Sequence, residues 1–241
     1  MSDVVDGDTE LPLVQFSELD PGVARELPRH RHDLSRDEVR TSQRSRLIVA
    51  TVQVVAEKGY AGASVRQIAA RAGISTKTFY ELYPDKEEAF LATYASVDRL
   101  TELMRHAVAQ ARTAASVIEA GVTVYLTSLA AEPTFTQSLV IEALASTDRI
   151  RARRSRGLAD FAATMIEGLR RVRGANGPDP APTPGAHALI IGALGGVNEL
   201  VVQHLGTAPA ATLLDIVPAA RVLLESIALT PQERVSAVED L

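Results

Sequence analysis

The chain has 241 residues, 46% of them apolar, and contains no Cys. That length and apolar content exclude wholesale disorder and suffice for one or two buried cores. The missing Cys excludes disulfides, a thiol nucleophile and any Cys-ligated metal. The formal charge of −5 argues against nucleic acid only as a sum. Residues 1–34 carry eight acids against three Arg, whereas residues 40–86 carry eight bases against three acids. That second segment is a basic island in an acidic protein.

In chain order, residues 1–34 are acidic, hold Pro12, Pro21 and Pro28 and sustain no period, so they read as a flexible arm. Ser35-Arg36-Asp37-Glu38 is a capping box, with Ser35 as N-cap and Glu38 reaching back. The helix it opens is apolar at Val39, Leu47, Val49, Ala50, Val52, Val54 and Val55. It ends at Lys58-Gly59, where Gly can take the left-handed C′ conformation. Ser64 and Gln67 form a second capping box, opening a short helix that ends at Gly73. Ser75 caps a third helix through about Leu82. Pro84 then breaks the chain, and Asp85 caps a long fourth helix with Phe90, Leu91, Tyr94, Val97, Leu100 and Met104 on its apolar side.

Further helices are expected at about 114–130, 134–144 and 147–173. A Pro/Gly loop follows from Gly174 to Pro184. Two apolar helices close the chain at about 185–206 and 210–229, the second kinked at Pro218. No strand alternation persists, so the fold class is all-α with about nine helices. The N-terminus lacks a basic-then-apolar signal pattern, and no run of about 18 apolar residues occurs, so no membrane partner is expected and the cytoplasm is the expected location.

Two short helices joined by a tight Gly turn have helix-turn-helix geometry. Ile68, Ala69, Ala72, Ile74 and Phe79 have the spacing of a small shared core, and Ala69 and Gly73 are small where the helices approach. The second helix projects Thr76, Lys77, Thr78 and Tyr80, whose hydroxyls and ammonium suit phosphates and base edges. Ser64 and Arg66 stand at a helix N-terminus that favours a phosphate, and Lys86 can hold another. The same caps and turn also suit any amphipathic helix pair.

The stretch from about Arg44 to Leu91 resembles the N-terminal domain of the TetR family of bacterial transcriptional regulators. The resemblance is carried by RLIVATVQVVAEKGYAGASV, IAARAGIS and TFYELYPDKEEAF. It implies a helix-turn-helix domain over 41–101 with its motif at 64–83, and a C-terminal ligand-binding and dimerisation domain over 102–241. It also implies a homodimer on a near-palindromic double-stranded DNA operator, acting as a repressor released by an unidentified small-molecule effector. DNA contacts carried over from the family fall on Arg66, Thr76, Lys77, Thr78, Tyr80 and Lys86; the residues alone add Ser64 and Ser75. Three positions depart from the family pattern: Lys77 stands where Gly or Pro is common, Val65 where a hydroxyl is common, and Tyr83 where Phe is common, a core residue with DNA contact as the alternative.

The run Arg29-His30-Arg31-His32 is either a minor-groove arm or a solvated linker. The resemblance places a dimer interface on 185–206 and 210–229, with Gly192, Gly195 and Gly196 permitting close approach and Leu213, Ile216, Val217, Leu223, Leu224 and Ile227 on the second helix. An effector cavity is expected among the fourth to eighth helices, with Tyr94, Met104, Tyr125, Phe135, Phe161, Met165 and Asn198 as candidate lining; plain core is the competing reading. The low polarity of that set points to an apolar or amphipathic effector. Arg149, Arg151, Arg153, Arg154 and Arg156 read as a solvated face, with anion or acyl-CoA recognition as the alternative. The five His (30, 32, 106, 187 and 204) lack metal-ligand spacing, and no phosphate loop or nucleophile elbow occurs, so neither an enzyme nor a cofactor is expected. An adapter that binds only proteins is the other alternative to DNA.

Overall fold

The computed structural model describes residues 35–239, which form eleven α-helical segments and no strand. The expected arm of residues 1–34, with Arg29 to His32, lies outside the described residues. In α1 (Arg36–Gly62) the capping box forms, with the Glu38 N–H donating to Ser35 Oγ and the Ser35 N–H to Glu38 Oε2 at 2.7 Å. The regular part of α1 stops at Gly59, whose φ of 71° and ψ of 158° suit only Gly. Then come α2 (Val65–Arg71), α3 (Thr76–Leu82) and α4 (Lys86–Ala92).

The long fourth helix expected from sequence is instead two. α4 ends and α5 (Ala95–Gln110) begins across Thr93 and Tyr94. Thr93 Oγ1 donates to the Phe90 carbonyl at 2.6 Å, and the N–H groups of Thr93 and Tyr94 fall back to i−3 acceptors, Phe90 and Leu91. A side chain that competes with the backbone for a carbonyl tightens and stops the helix there. The apolar period runs through the break unchanged, so it gives no sign of it.

α6 (Ala114–Ala131) packs against α5, α8 (Asp148–Arg173) and α10 (Val217–Ala228). The helix expected at 134–144 is a composite: α7 (Pro133–Thr136), a π turn (Gln137–Ile141) and a 3₁₀ turn (Glu142–Ala145). Here Thr136 Oγ1 donates to the Leu129 carbonyl and Ser138 Oγ reaches the Val52 carbonyl of α1, binding this irregular stretch to both neighbours. α9 (Pro184–Leu205) follows the Pro/Gly loop, and a 3₁₀ stretch (Ala210–Ile216) leads into α10. Pro218 does not kink that helix; it lies in its first turn, where the missing N–H has no helical acceptor to lose. α11 (Pro231–Glu239) has no counterpart in the expected elements, although Thr230-Pro231-Gln232-Glu233 is itself a capping box with Pro at the first helical position.

One apolar core runs from Leu47 in α1 to Leu229 after α10, so the N-terminal helices and the body share a continuous interior. Each fully buried Leu, Ile or Phe in it contributes roughly 1.5–3 kcal/mol. By length and composition two helices, Ala114–Ala131 and Pro184–Leu205, could cross a membrane, contrary to the sequence expectation. α6 is enclosed by other helices, whereas α9 keeps an exposed apolar side that includes Leu189.

Candidate nucleic-acid interface and interior cavity

The turn between α2 and α3 is a complete Schellman motif. The Ile74 N–H donates to the Ala69 carbonyl at 3.0 Å and the Gly73 N–H to the Ala70 carbonyl at 3.2 Å, with Gly73 at φ 66°. Arg46 of α1 donates to the Ala72 carbonyl at 3.2 Å, covering another free acceptor at the end of α2. Ile68 and Phe79 are fully buried and fix the two helices to one core. Phe79 meets Tyr80 and Tyr83 at ring-centroid distances of 5.6 and 6.2 Å. Above that anchor Thr76, Lys77 and Tyr80 are solvent-exposed, Tyr80 at 58%.

The other expected DNA residues divide. Ser75 Oγ caps α3 through the Thr78 N–H at 3.0 Å and lies 3.0 Å from Thr78 Oγ1, so these two hydroxyls already serve each other. Ser64 donates its hydroxyl to Gln67 Oε1 in the capping box of α2. Arg66 is exposed in the first turn of α2, without a hydrogen-bond or ion-pair partner among the described residues.

Lys86, expected to hold a phosphate, is tied within the domain by part of its ammonium. Its ammonium donates to the Tyr60 and Ala63 carbonyls at 2.7 and 2.9 Å and stands 4.5 Å from the Tyr60 ring centroid. Burial lowers its pKa. Two of its three N–H bonds thus join α4 to the end of α1. Arg40, Arg46 and Arg71 are engaged likewise: Arg40 with the Glu81 carbonyl, Arg71 with both carboxylate oxygens of Glu57. Half of the basic island therefore braces the domain. Arg44, Lys58, Arg66 and Lys77 remain outward, Lys77 with only a loose approach of 3.9 Å to Glu81.

All seven candidate lining residues border one of two adjoining cavities. The first has about 50 Å³ of free space and is lined by Tyr94, Tyr125, Phe135, Phe161 and Asn198, with Leu100, Leu129, Leu139 and Leu158. The second, with only about 10 Å³ of free space, is lined by Met104 and Met165 and shares Tyr125, Leu158 and Phe161 with the first. The Tyr125 hydroxyl donates to Asn198 Oδ1, so Asn198 bonds within its own protomer. The Tyr94 hydroxyl is buried without a partner among the described residues. Such a group costs about 1–3 kcal/mol. Burial raises the Tyr94 phenol to about 12, against the pull of Arg154 and Arg153.

Sequence reasoning missed Arg154 as cavity lining. The arginine cluster on α8 is not one solvated face. Arg149 pairs with Glu87 and Glu88 of α4 at 2.8 and 2.7 Å, Arg151 with Asp148, and Arg153 with Asp98 while lying 5.1 Å from the Tyr94 ring centroid. Arg154 has neither a hydrogen-bond nor an ion-pair partner among the described residues. Helical spacing carries the signal: Arg154, Leu158 and Phe161 succeed one another at i+4 and i+7 on the inner side of α8.

No curated protein matches the chain in sequence. The fold resembles the fatty acid degradation regulator FadR from Bacillus halodurans, with a TM-score of 0.63, 22% identity, and coverage of 76% of this chain and 94% of that one. It also resembles FadR from Bacillus subtilis in complex with stearoyl-CoA (TM-score 0.62, 19% identity, 76% and 97% coverage). SmeT, the repressor of the Stenotrophomonas maltophilia multidrug efflux pump SmeDEF, is a third likeness (TM-score 0.57, 17% identity, 79% and 92% coverage). At these identities the likeness is one of fold. In sequence, residues 47–93 match the family model of bacterial regulatory proteins of the tetR family, the span that holds the Schellman turn, the exposed face of α3 and the Lys86 tie. That match places residues 47–93, the segment of the helix-turn-helix, in the tetR family of bacterial regulatory proteins.

Proposed function

We propose that the protein is a dimeric, sequence-specific cytoplasmic repressor. It holds a near-palindromic operator through α2 and α3 and leaves it when an apolar or amphipathic effector fills the cavity. The observation that carries this reading is α3 itself: Phe79 is wholly buried while Thr76, Lys77 and Tyr80 stand exposed one turn apart. In the major groove Tyr80, Thr76 and Lys77 meet bases and phosphates, and Arg66 meets a phosphate. Ser64, Ser75 and Thr78 offer acceptor lone pairs and backbone N–H groups at two helix starts. The third N–H of Lys86 is left for a phosphate. Selection of bound duplexes from a random DNA pool tests this. A near-palindromic consensus is expected, and no enrichment would refute it.

The dimer reading rests on exposed apolar side chains that continue from α9 onto α10. Leu189 is 61% exposed and Val222 66%, and Leu214 and Ile227 are also open. A Cβ at Gly192 or Gly195 would meet nothing within 4 Å, so both leave room for a second helix, whereas Gly196 already abuts Leu223. Leu213 and Leu224, expected at the interface, face the protomer's own core.

Release follows from where Tyr94 sits. It lines the cavity, it occupies the α4–α5 break, and its ring meets Phe90, which meets Tyr60 above Lys86, at centroid distances of 6.1 and 5.5 Å. An effector that displaces Tyr94 therefore presses on the helix that positions the reading head. Only an effector that binds the two arrangements differently can shift them.

A further inference from the structure

The cavity is apolar except at the hydrogen-bonded pair Tyr125–Asn198 and at Arg154 with Tyr94. Arg154 lines it without an acidic partner or a hydrogen-bond acceptor among the described residues, whereas Arg149, Arg151 and Arg153 of the same helix each pair with a carboxylate. Tyr94 lines the same cavity, is 2% exposed, and has a hydroxyl without a partner among the described residues. A guanidinium and a free phenol O–H are both donors. Donors left over in an apolar cavity call for an acceptor from outside, and a guanidinium favours an anion with paired oxygens. The rest of the lining, from Leu100, Leu129, Leu139 and Phe135, is suited to a hydrocarbon body. The free space amounts to about 50 Å³, so an incoming ligand has to part these side chains.

We propose that the effector is a medium-length or aromatic acid, its apolar body among the leucines and Phe135 and its carboxylate held by Arg154 with the Tyr94 hydroxyl donating. This rests on the reading that the cavity is the effector site, and it names the head group that reading leaves open. The carboxylate completes Arg154 and Tyr94 together, so the acid grips α8 and the α4–α5 break at once. A coenzyme A thioester would put its charge beyond a long neutral arm, away from Arg154.

Calorimetric titration of the intact protein without DNA, using decanoate, 1-decanol and decanoyl-CoA, tests the proposal. Decanoate is expected to bind at least about tenfold more tightly than decanol. Arg154→Met is expected to abolish that preference while leaving decanol binding as it was. Tyr94→Phe should weaken decanoate by a smaller factor, and circular dichroism melting checks that both variants fold; if Arg154→Met does not, Arg154→Gln takes its place. Equal binding of acid and alcohol, a preference that survives the Arg154 substitution, tighter binding of the thioester, or no binding of decanoate would each overturn the proposal. A parallel DNA-release assay separates the two readings. Release by decanol alone would keep the cavity as effector site and remove the acid head. Tight, Arg154-dependent decanoate binding that leaves DNA binding unchanged would keep the acid site and remove its role in release.

Discussion

The reading head and the cavity body treat polar groups in opposite ways. In the head most polar groups are matched within the domain: Ser35 with Glu38, Ser64 with Gln67, Ser75 with Thr78, Arg71 with Glu57, Lys86 with two carbonyls; the exceptions buried there are Ser42 Oγ and Arg46 Nε of α1. What remains for solvent is a short row on α2 and α3, with Arg44 and Lys58 of α1. In the body the unmatched donors, Arg154 and the Tyr94 hydroxyl, face inward on a cavity. A surface that reads a long rigid polymer needs a stiff frame with its free groups outside. A site for a small molecule needs its free groups inside, where an arriving ligand loses its water and displaces side chains. The same chain satisfies both because the two regions meet at Tyr94.

The comparison can be broken first at the frame. Phe79→Ala should remove about 3–5 kcal/mol, because a fully buried aromatic leaves a cavity between α2 and α3. Thermal melting should show the loss, and DNA binding should vanish with the local structure. If DNA binding survives, the frame is not what presents α3. Replacing Leu189 and Val222 together with Asp should leave each protomer folded but monomeric by sedimentation. Operator affinity should then fall by about 10²–10⁴-fold, as two linked half-site contacts become one.

A smaller effect separates the body from the head by pH. Arg173 is 5% exposed on α8 and donates to both carboxylate oxygens of Glu233, at 2.8 and 2.7 Å, and to the Ala228 carbonyl. Burial acts to raise the Glu233 pKa, but the hydrogen bonds from Arg173 and Thr230 outweigh it and leave the carboxyl below its ordinary value of 4.5. A depressed folded-state pKa stabilises the protein above the unfolded-state value and loses that contribution as pH falls through the folded one. Stability should therefore decline below about pH 4.5 in the wild type and less steeply in Glu233→Gln. At neutral pH, Glu233→Ala should cost about 2–4 kcal/mol by leaving Arg173 without its counter-charge. Parallel pH slopes for wild type and Glu233→Gln would show that this pair does not set the acid limit.

The two regions were unequally legible in the sequence. The head was readable because its devices are local: a Ser three residues before Glu or Gln, a Ser and an Asp before helix starts, and Gly73 where a Schellman turn requires positive φ. Its errors came from contacts distant in the chain. Nothing near Lys86 signals that its ammonium would reach Tyr60 and Ala63, 26 and 23 residues earlier. The body's helices were readable from apolar period, and the aromatic and Met residues chosen as lining do border the cavities. The π turn at 137–141 and the break at Thr93 were not, because both arise where a hydroxyl takes a backbone acceptor without disturbing the hydrophobic pattern. Arg154 was hidden among five arginines, three of which pair with carboxylates that lie mostly on other elements. The capping box at Thr230 was visible and unread.

The finest prediction sharpens the division within the basic island. Arg66→Ala should leave the melting temperature unchanged and lower the salt slope of DNA binding by about 1. Lys86→Ala should lower the melting temperature as well, since its ammonium ties α4 to α1. Equal melting temperatures for the two would mean that the tie contributes nothing.

The central claim is that the exposed face of α3 reads DNA. Its most direct test is Tyr80→Ala, because Tyr80 projects from a frame that does not depend on it. Fluorescence anisotropy on the duplex recovered by selection should show wild-type binding that weakens steeply with salt. The variant, with an unchanged melt and dimer, should bind about tenfold or more weakly. Unchanged affinity in Tyr80→Ala, or no wild-type binding to any duplex even at low salt, would contradict the account.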